Sequence, residues 1–159
     1  MQLIHTSPNE ITEINSFGRF GEFLFFICGD NWEPSIEYVM TAGEYVVYRT
    51  EVDEDDIIEA GRLFYHDDAE KLDGLVQAVM DLTGCDEDTA EELIAQNTDV
   101  HSIDCDIEPE DLAEAGWDIQ RITGEAAAIL GYRGVEMEDE QGSAYLINMK
   151  GREADLEIA

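Results

Sequence analysis

Residues 23–28 read Phe-Leu-Phe-Phe-Ile-Cys, and residues 44–52 read Glu-Tyr-Val-Val-Tyr-Arg-Thr-Glu-Val. Both segments consist largely of the aromatic and β-branched residues that favour strands, and the first is apolar enough to be a fully buried strand. A shorter strand is predicted before them at residues 2–5. Further strands are predicted at residues 143–149, which contain Tyr-Leu-Ile, and at a last edge, residues 156–158.

The middle of the chain has the periodicity of helices instead. Apolar residues recur at i, i+3, i+4, i+7 and i+8, which predicts one helix face, and Gly84 is well placed to end that helix; these residues are Leu72, Leu75, Val76, Val79 and Met80. A second helix is predicted at about 88–96. A third begins with Pro109 in its first turn and ends near Gly131.

The order of these elements is strands, then helices, then strands. It predicts a single α+β domain over residues 1–159, with a mixed or antiparallel sheet and a helical segment at about residues 69–130. The 44% hydrophobic content supplies a core of the size that such a domain needs.

The charge of the chain is far from that of an ordinary small domain. Eight basic residues stand against 39 acidic ones, for a formal net charge of -31. Such a surface repels nucleic acid and membrane surfaces and attracts basic proteins. We therefore expect a basic protein partner and neither direct nucleic-acid binding nor membrane binding. A halophilic or merely soluble protein would have the same composition.

The cysteines and histidines do not have the spacing of a metal site. The three cysteines are Cys28, Cys85 and Cys105, without a C-x-x-C pair, and His5, His66 and His101 lie far apart in the sequence. We expect no metal, no disulfide framework, and a reducing cytoplasm as the compartment. No signal peptide and no membrane-spanning stretch is predicted.

Polar residues at the end of the first strand are candidates for binding a nucleotide. His5, Thr6 and Ser7 follow one another there, where an imidazole and hydroxyls can hydrogen-bond ribose. Residues 17–21 read Phe-Gly-Arg-Phe-Gly, a turn in which Arg19 offers a cation to a pyrophosphate. Taken alone, His5 is more often a structural histidine, and the glycine turn is more often a simple hairpin.

Two acids lie in a turn directly before the last apolar strand. Asp139 and Glu140 are followed by Gly142 and then by Tyr-Leu-Ile at residues 145–147. Neighbouring carboxylates can stabilise a developing cation. In a chain with 39 acids, a solvated pair is the more common explanation, and only the position favours a catalytic role.

Together these segments resemble the ADP-ribosyltransferase superfamily, which places a histidine, an aromatic residue and an acid on three strands. More specifically, the chain resembles the phage-encoded anti-CRISPR ADP-ribosyltransferases directed at type I-F systems. The stretches that support this resemblance over nearly the full length are His5-Thr-Ser-Pro, Gly18-Arg-Phe-Gly-Glu-Phe-Leu, Glu37-Tyr-Val-Met-Thr-Ala-Gly, Leu82-Thr-Gly-Cys-Asp-Glu-Asp-Thr-Ala-Glu-Glu-Leu-Ile and Asp139-Glu-Gln-Gly.

The resemblance implies NAD as co-substrate, held at residues that match the family's motifs. His5, with Thr6 and Ser7 beside it, would hold the ribose. Arg19 would hold the pyrophosphate, Phe20 beside it would also contact the cofactor, and Phe25 or Tyr38 would stack on nicotinamide. Ala144 stands at the family's usual glutamate position, so the acid would be Asp139 or Glu140.

The same resemblance implies a partner and a compartment. The partner is the PAM-reading subunit of the type I-F surveillance complex, which no longer binds target DNA once it carries ADP-ribose, and the compartment is the host bacterial cytoplasm. The alternative is an acidic decoy that mimics DNA and blocks a nucleic-acid-binding complex stoichiometrically, without chemistry. The charge of -31 supports that alternative, whereas the placement of His5 and Arg19 does not.

Overall fold

A computed structural model describes residues 1–7, 11, 14, 22–28, 46–139 and 142–158. In these ranges the strands form one sheet in the order β4-β5-β6-β2-β1-β3-β7. The strand bounds are β1 Gln2–Ser7, β2 Phe23–Cys28, β3 Val46–Glu51, β4 Ile57–Glu59, β5 Gly134–Asp139, β6 Gly142–Asn148 and β7 Glu157–Ile158. All neighbouring strands are antiparallel except β4 and β5, so the sheet is mixed.

The α-helices of the described residues follow β4 and precede β5. They are α1 Asp73–Thr83, α2 Glu87–Ile94 and α3 Leu112–Ile129, with short 3-10 helices at Glu54–Asp56, Ala60–Tyr65, Ala69–Leu72, Pro109–Asp111 and Glu153–Asp155. Gly84 ends α1 with a left-handed φ of 74°, and the Asp86 side chain caps α2 by accepting from the Thr89 N–H at 2.8 Å. The α+β prediction and the helical middle segment are therefore confirmed.

Two strands were not expected from the sequence. β4 is three residues long and pairs in parallel with β5, which lies more than 70 residues further along the chain. β5 alternates apolar and acidic residues, and Val135 and Met137 are buried while Glu138 is exposed. Asp139, expected in a turn, is the last residue of β5 and pairs with Gly142, the first residue of β6, while Glu140 lies outside the described residues.

The sheet has a core on each face. On one face, Val135, Met137 and Leu146 pack with the buried residues of α3, such as Ile119 and Ala126. On the other face the core contains Leu3, Phe26, Val52, Tyr145, Ile147 and Met149. Since β1, β2, β5 and β6 each contribute to one or both cores, residues at the middle of the sheet are held in fixed register.

Strands β1 and β2 separate shortly after they pair. Within the described residues their ladder consists of Leu3 with Cys28 and Ile4 with Ile27. By contrast, β1 pairs with β3 over all of Gln2–Ser7. The sheet is thus opened between β1 and β2 beyond Ile4, where the polar residues of β1 begin.

The helices of the described ranges are amphipathic or short. None of them combines the length and the apolar character needed to cross a membrane.

Candidate functional site

A cavity of about 410 Å³ lies at the point where β1 and β2 separate. Residues from β1, β2, β5 and β6 line it, together with Gln120 of α3. We call it the β1–β2 cavity. Its volume lies in the range of about 300–1,000 Å³ that is typical of small-molecule sites.

One part of the cavity lining is apolar. Ile4 pairs with Ile27 across β1 and β2, and Ala144 pairs with Met137 across β6 and β5. All four residues line the β1–β2 cavity. An aromatic ring of a ligand would find a hydrophobic surface here.

His5 is positioned by the separation of the two strands. Its Nδ1 lies 2.6 Å from the carbonyl oxygen of Phe25, and its ring centroid lies 5.6 Å from that of Phe26 at an interplanar angle of 54°. A carbonyl only accepts hydrogen bonds, so Nδ1 bears the proton and donates it. In the neutral ring, Nε2 then has a free lone pair and acts as an acceptor.

The environment of His5 favours this neutral form. Burial lowers the pKa of the imidazole below its ordinary value, and the hydrogen bond to the Phe25 carbonyl opposes the shift only in part. A neutral histidine whose tautomer is fixed by a backbone carbonyl can accept a hydrogen bond from a ribose hydroxyl.

Gln120 lies one helical turn before Gly124, where α3 packs very closely on the sheet. This close packing brings Gln120 to the cavity. A Cβ placed on Gly124 would lie 2.9 Å from Cδ2 of Leu146 and 3.0 Å from Cε1 of Phe23. Only a glycine permits this approach without a shift of the neighbours. Within the described residues, the Gln120 side chain makes no hydrogen bond, so its amide is available to a ligand.

The structure brings three of the predicted binding residues together. His5, Thr6 and Phe25 all line the β1–β2 cavity. Ser7 is buried at the end of β1, opposite Val46 of β3, and does not line it. The other predicted binding residues, Arg19, Phe20 and Tyr38, and the acid Glu140 lie outside the described residues.

The main chain of Asp139 lies next to the cavity. It directly follows Glu138 and lies two residues beyond Met137, and both of those residues line the β1–β2 cavity. Asp139 is the last residue of β5 and pairs with Gly142. Among the described residues, Glu138 is thus the acid of this segment that lines the cavity, and the role of Asp139 stays a prediction.

Gln120 and Glu138 are lining residues that the sequence reasoning missed. Gln120 belongs to the helical middle segment, which has no motif of its own. The available signal was Gly124, because a glycine inside a helix often marks a close approach of two elements. Ala144 is 4% exposed and is part of the same lining, at the position where the resemblance places a glutamate.

Comparison with known proteins gives a consistent result. Residues 1–154 match the protein family described as Anti-CRISPR Type I-F ADP-ribosyltransferase AcrIF11. A solved structure described as an anti-CRISPR protein is 30% identical, with a TM-score of 0.50, over 92% of this chain and 88% of that one. No curated protein matches.

Proposed function

Because the chain belongs to the type I-F anti-CRISPR ADP-ribosyltransferase family, we propose that it inhibits a type I-F CRISPR system by modifying the PAM-reading subunit of the surveillance complex. Family membership makes the chain an NAD-dependent ADP-ribosyltransferase. The target subunit, the roles of individual residues and the loss of target DNA binding belong to the proposal. The observation that supports the site is the neutral, backbone-anchored His5 in the β1–β2 cavity.

The residues of the β1–β2 cavity fit the nicotinamide riboside end of NAD. Nicotinamide is a flat ring with a carboxamide, which suits the apolar lining of Ile27, Met137 and Ala144 beside Phe25. The ribose hydroxyls need an acceptor and further polar groups, which Nε2 of His5 and the Thr6 hydroxyl supply. Gln120 can hydrogen-bond the carboxamide, since its side chain offers both a donor and an acceptor.

NAD, when bound, supplies an ADP-ribosyl group that leaves nicotinamide and is transferred to a side chain of the target. The bond between the ribose carbon and nicotinamide nitrogen breaks, a bond to the acceptor forms, and the acceptor loses a proton. In this proposal His5 orients the ribose and Phe25 or Tyr38 holds the nicotinamide ring. Arg19 binds the pyrophosphate, and Phe20 is a further contact of NAD.

Asp139 is the acid that we assign to the reacting carbon. A carboxylate at the β5–β6 hairpin would stabilise the positive charge that develops on the ribose, or would orient its 2′-hydroxyl. The position that usually bears the family's glutamate is Ala144, a residue without a carboxyl group. The proposal therefore takes the acid from the end of β5, where Glu138 lines the cavity and Asp139 follows it in the sequence.

Incubation of a purified type I-F surveillance complex with this protein, with and without NAD, tests the function. We expect intact-mass spectrometry to find an ADP-ribose adduct on the PAM-reading subunit only when NAD is present. Target DNA binding in a mobility-shift assay should be lost in the same samples. Stoichiometric inhibition without NAD would favour the acidic decoy, and an adduct on another subunit would refute the proposed target.

The role of Asp139 is tested by changing three adjacent acids one at a time. We expect Asp139→Ala and Asp139→Asn to slow transfer by about 10²–10³-fold, the usual loss on removing one preorganised electrostatic group, with the fold retained. Glu140→Gln tests the alternative acid, Glu138→Gln tests the acid that lines the cavity, and Glu114→Gln, an exposed acid on α3 outside the cavity, is the matched control. An Asp139→Asn rate within about threefold of the wild-type rate would move the role to Glu140 or reject the assignment.

A further inference from the structure

A second, larger cavity lies at the β4 edge of the sheet. It has a volume of about 770 Å³ and shares no lining residue with the β1–β2 cavity. We call it the edge cavity. Its walls come from β4, from the 3-10 helices Glu54–Asp56 and Ala60–Tyr65 on either side of β4, and from Tyr132 and Glu136 near β5.

The edge cavity is negatively charged. Four carboxylates line it, namely Glu54, Asp55, Glu59 and Glu136, against one guanidinium, that of Arg62. Arg62 lies 3.5 Å from Glu59, and both side chains are largely exposed. An ion pair so exposed is weak. Counting also the N-terminal ammonium of Met1, which lines the same cavity, the four carboxylates exceed the two cations by two.

Two further polar groups of the edge cavity, His66 and the amino group of Met1, are hydrogen-bonded to the main chain. The backbone N–H of Asp68 donates to Nδ1 of His66 at 3.0 Å. Nδ1 is therefore the acceptor of this hydrogen bond and presents a lone pair to the main chain. The amino group of Met1, which also lines the edge cavity, donates to the carbonyl oxygen of Val52 at 2.9 Å.

Two tyrosines, Tyr65 and Tyr132, line the edge cavity together with the carboxylates. Tyr65 is 88% exposed, which is unusual for a large ring that contributes nothing to the core. Tyr132 is half-buried and meets the His66 ring edge-on, with centroids 5.9 Å apart at 85°. A ring face next to an excess of carboxylates attracts a cation more strongly than either group alone.

We propose that the edge cavity binds the guanidinium group of an arginine side chain on the protein that this enzyme modifies. Guanidinium is planar, stacks on aromatic faces and forms paired hydrogen bonds with carboxylates, so Tyr65 and Glu136 suit it better than they suit a lysine. The net charge of -31 draws a basic partner towards the surface, and the edge cavity gives that attraction a specific contact. The inference rests on the proposed function only in that the reaction needs a protein acceptor.

The chemistry is tested with a small probe. The peptide acetyl-Gly-Arg-Gly-amide is titrated into the protein and followed by NMR, with a citrulline peptide as the uncharged control of the same shape. We expect saturable shifts of the Tyr65 and Tyr132 rings with the arginine peptide only. Tyr65→Ala and Glu136→Gln should each weaken binding by about threefold or more, whereas Glu114→Gln, an exposed acid on α3 outside the edge cavity, should not. Equal shifts with citrulline, or equal weakening by Glu114→Gln, would overturn the proposal.

The use of this contact in the reaction is tested with the wild-type surveillance complex. Tyr65→Ala should slow modification of the complex at low enzyme concentration by about threefold or more, while its rate of NAD hydrolysis without the complex stays within about twofold of the wild-type rate. Modification at the wild-type rate would overturn the assignment to the partner. The wild-type protein is assayed in parallel. If the wild-type protein itself did not modify the complex, that result would count against the proposed function and not against the edge cavity.

Discussion

His5 has two roles in this structure, and one substitution separates them. Its Nδ1–H donates to the Phe25 carbonyl at 2.6 Å, while Nε2 is the acceptor assigned to the ribose of NAD. An asparagine amide nitrogen lies the same number of bonds from Cβ as Nδ1 does. His5→Asn therefore keeps a donor for Phe25 and removes the ribose acceptor, whereas His5→Ala removes both.

The expected magnitudes differ between stability and binding. The hydrogen bond contributes about 0.5–1.5 kcal/mol to folding, and the ring contact with Phe26 a further ~0.5–1.5 kcal/mol. His5→Ala should lower the free energy of unfolding by about 1–3 kcal/mol, and His5→Asn by the smaller, ring-contact part. Both variants lose the same acceptor, so the Kd for NAD should rise by about 2–12-fold in each.

Urea denaturation measures the first quantity and isothermal titration calorimetry the second. His101→Asn is the matched control, because His101 is exposed and lies in a loop outside both cavities. It should change stability by no more than about 0.5 kcal/mol and leave NAD affinity unchanged. If His5→Asn lost stability but bound NAD with wild-type affinity, His5 would be a structural histidine only, and the ribose site would have to be placed elsewhere.

Three further predictions concern acid, packing and phosphate binding. Burial lowers the pKa of His5, so the unfolded chain binds a proton more readily than the folded one. The stability contributed by neutral His5 should be complete above about pH 6.5 and be lost as the pH falls below that value. In urea denaturation, the wild-type protein should lose more stability over this pH range than His5→Asn does. Gly134→Ala should destabilise the fold by about 1–3 kcal/mol or more, because the new Cβ would lie 2.8 Å from the backbone oxygen of Leu146. Gly61→Ala is the control, since its Cβ would have no atom within 4 Å, and it should leave the thermal unfolding temperature nearly unchanged. Arg19→Ala should weaken NAD binding about tenfold or more in calorimetry, since a hydrogen bond to a charged group contributes about 1.5–3 kcal/mol; unchanged affinity would mean that another group meets the pyrophosphate.

The strands that could be predicted from the sequence are those with a strong local signal. Phe23–Cys28 is apolar throughout, and Val46–Glu51 is β-branched and aromatic. β4 and β5 have no such signal, because β4 is three residues long and its partner is distant in sequence. In the sequence, β5 looks like an acidic segment. Only the alternation of Val135 and Met137 with the acids indicates a strand.

The residues of the β1–β2 cavity also fall into those that could be predicted from the sequence and those that could not. His5, Thr6 and Phe25 could be predicted as a group, since a polar end of one strand and an apolar neighbouring strand are both visible in the sequence. Gln120 could not, because its place depends on how closely α3 approaches β2 and β6 at Gly124. That distance is a property of packing between elements, which periodicity along one helix does not contain.

The charge of this protein opposes the binding of its own co-substrate. A chain with a net charge of -31 repels a dinucleotide whose pyrophosphate is anionic, and the described lining of the β1–β2 cavity contains no lysine or arginine. His5 does not help, because its burial favours the neutral form. The pyrophosphate therefore needs a cation from elsewhere, and Arg19, one of only eight basic residues in the chain, has the sequence context of a glycine turn that could present it.

The acidic surface, by contrast, favours a basic protein target, so the two substrates of one reaction place opposite electrostatic demands on this chain. A local cation at the pyrophosphate within an acidic exterior satisfies both demands, because charge interactions at contact distance are screened far less by salt than those across the surface.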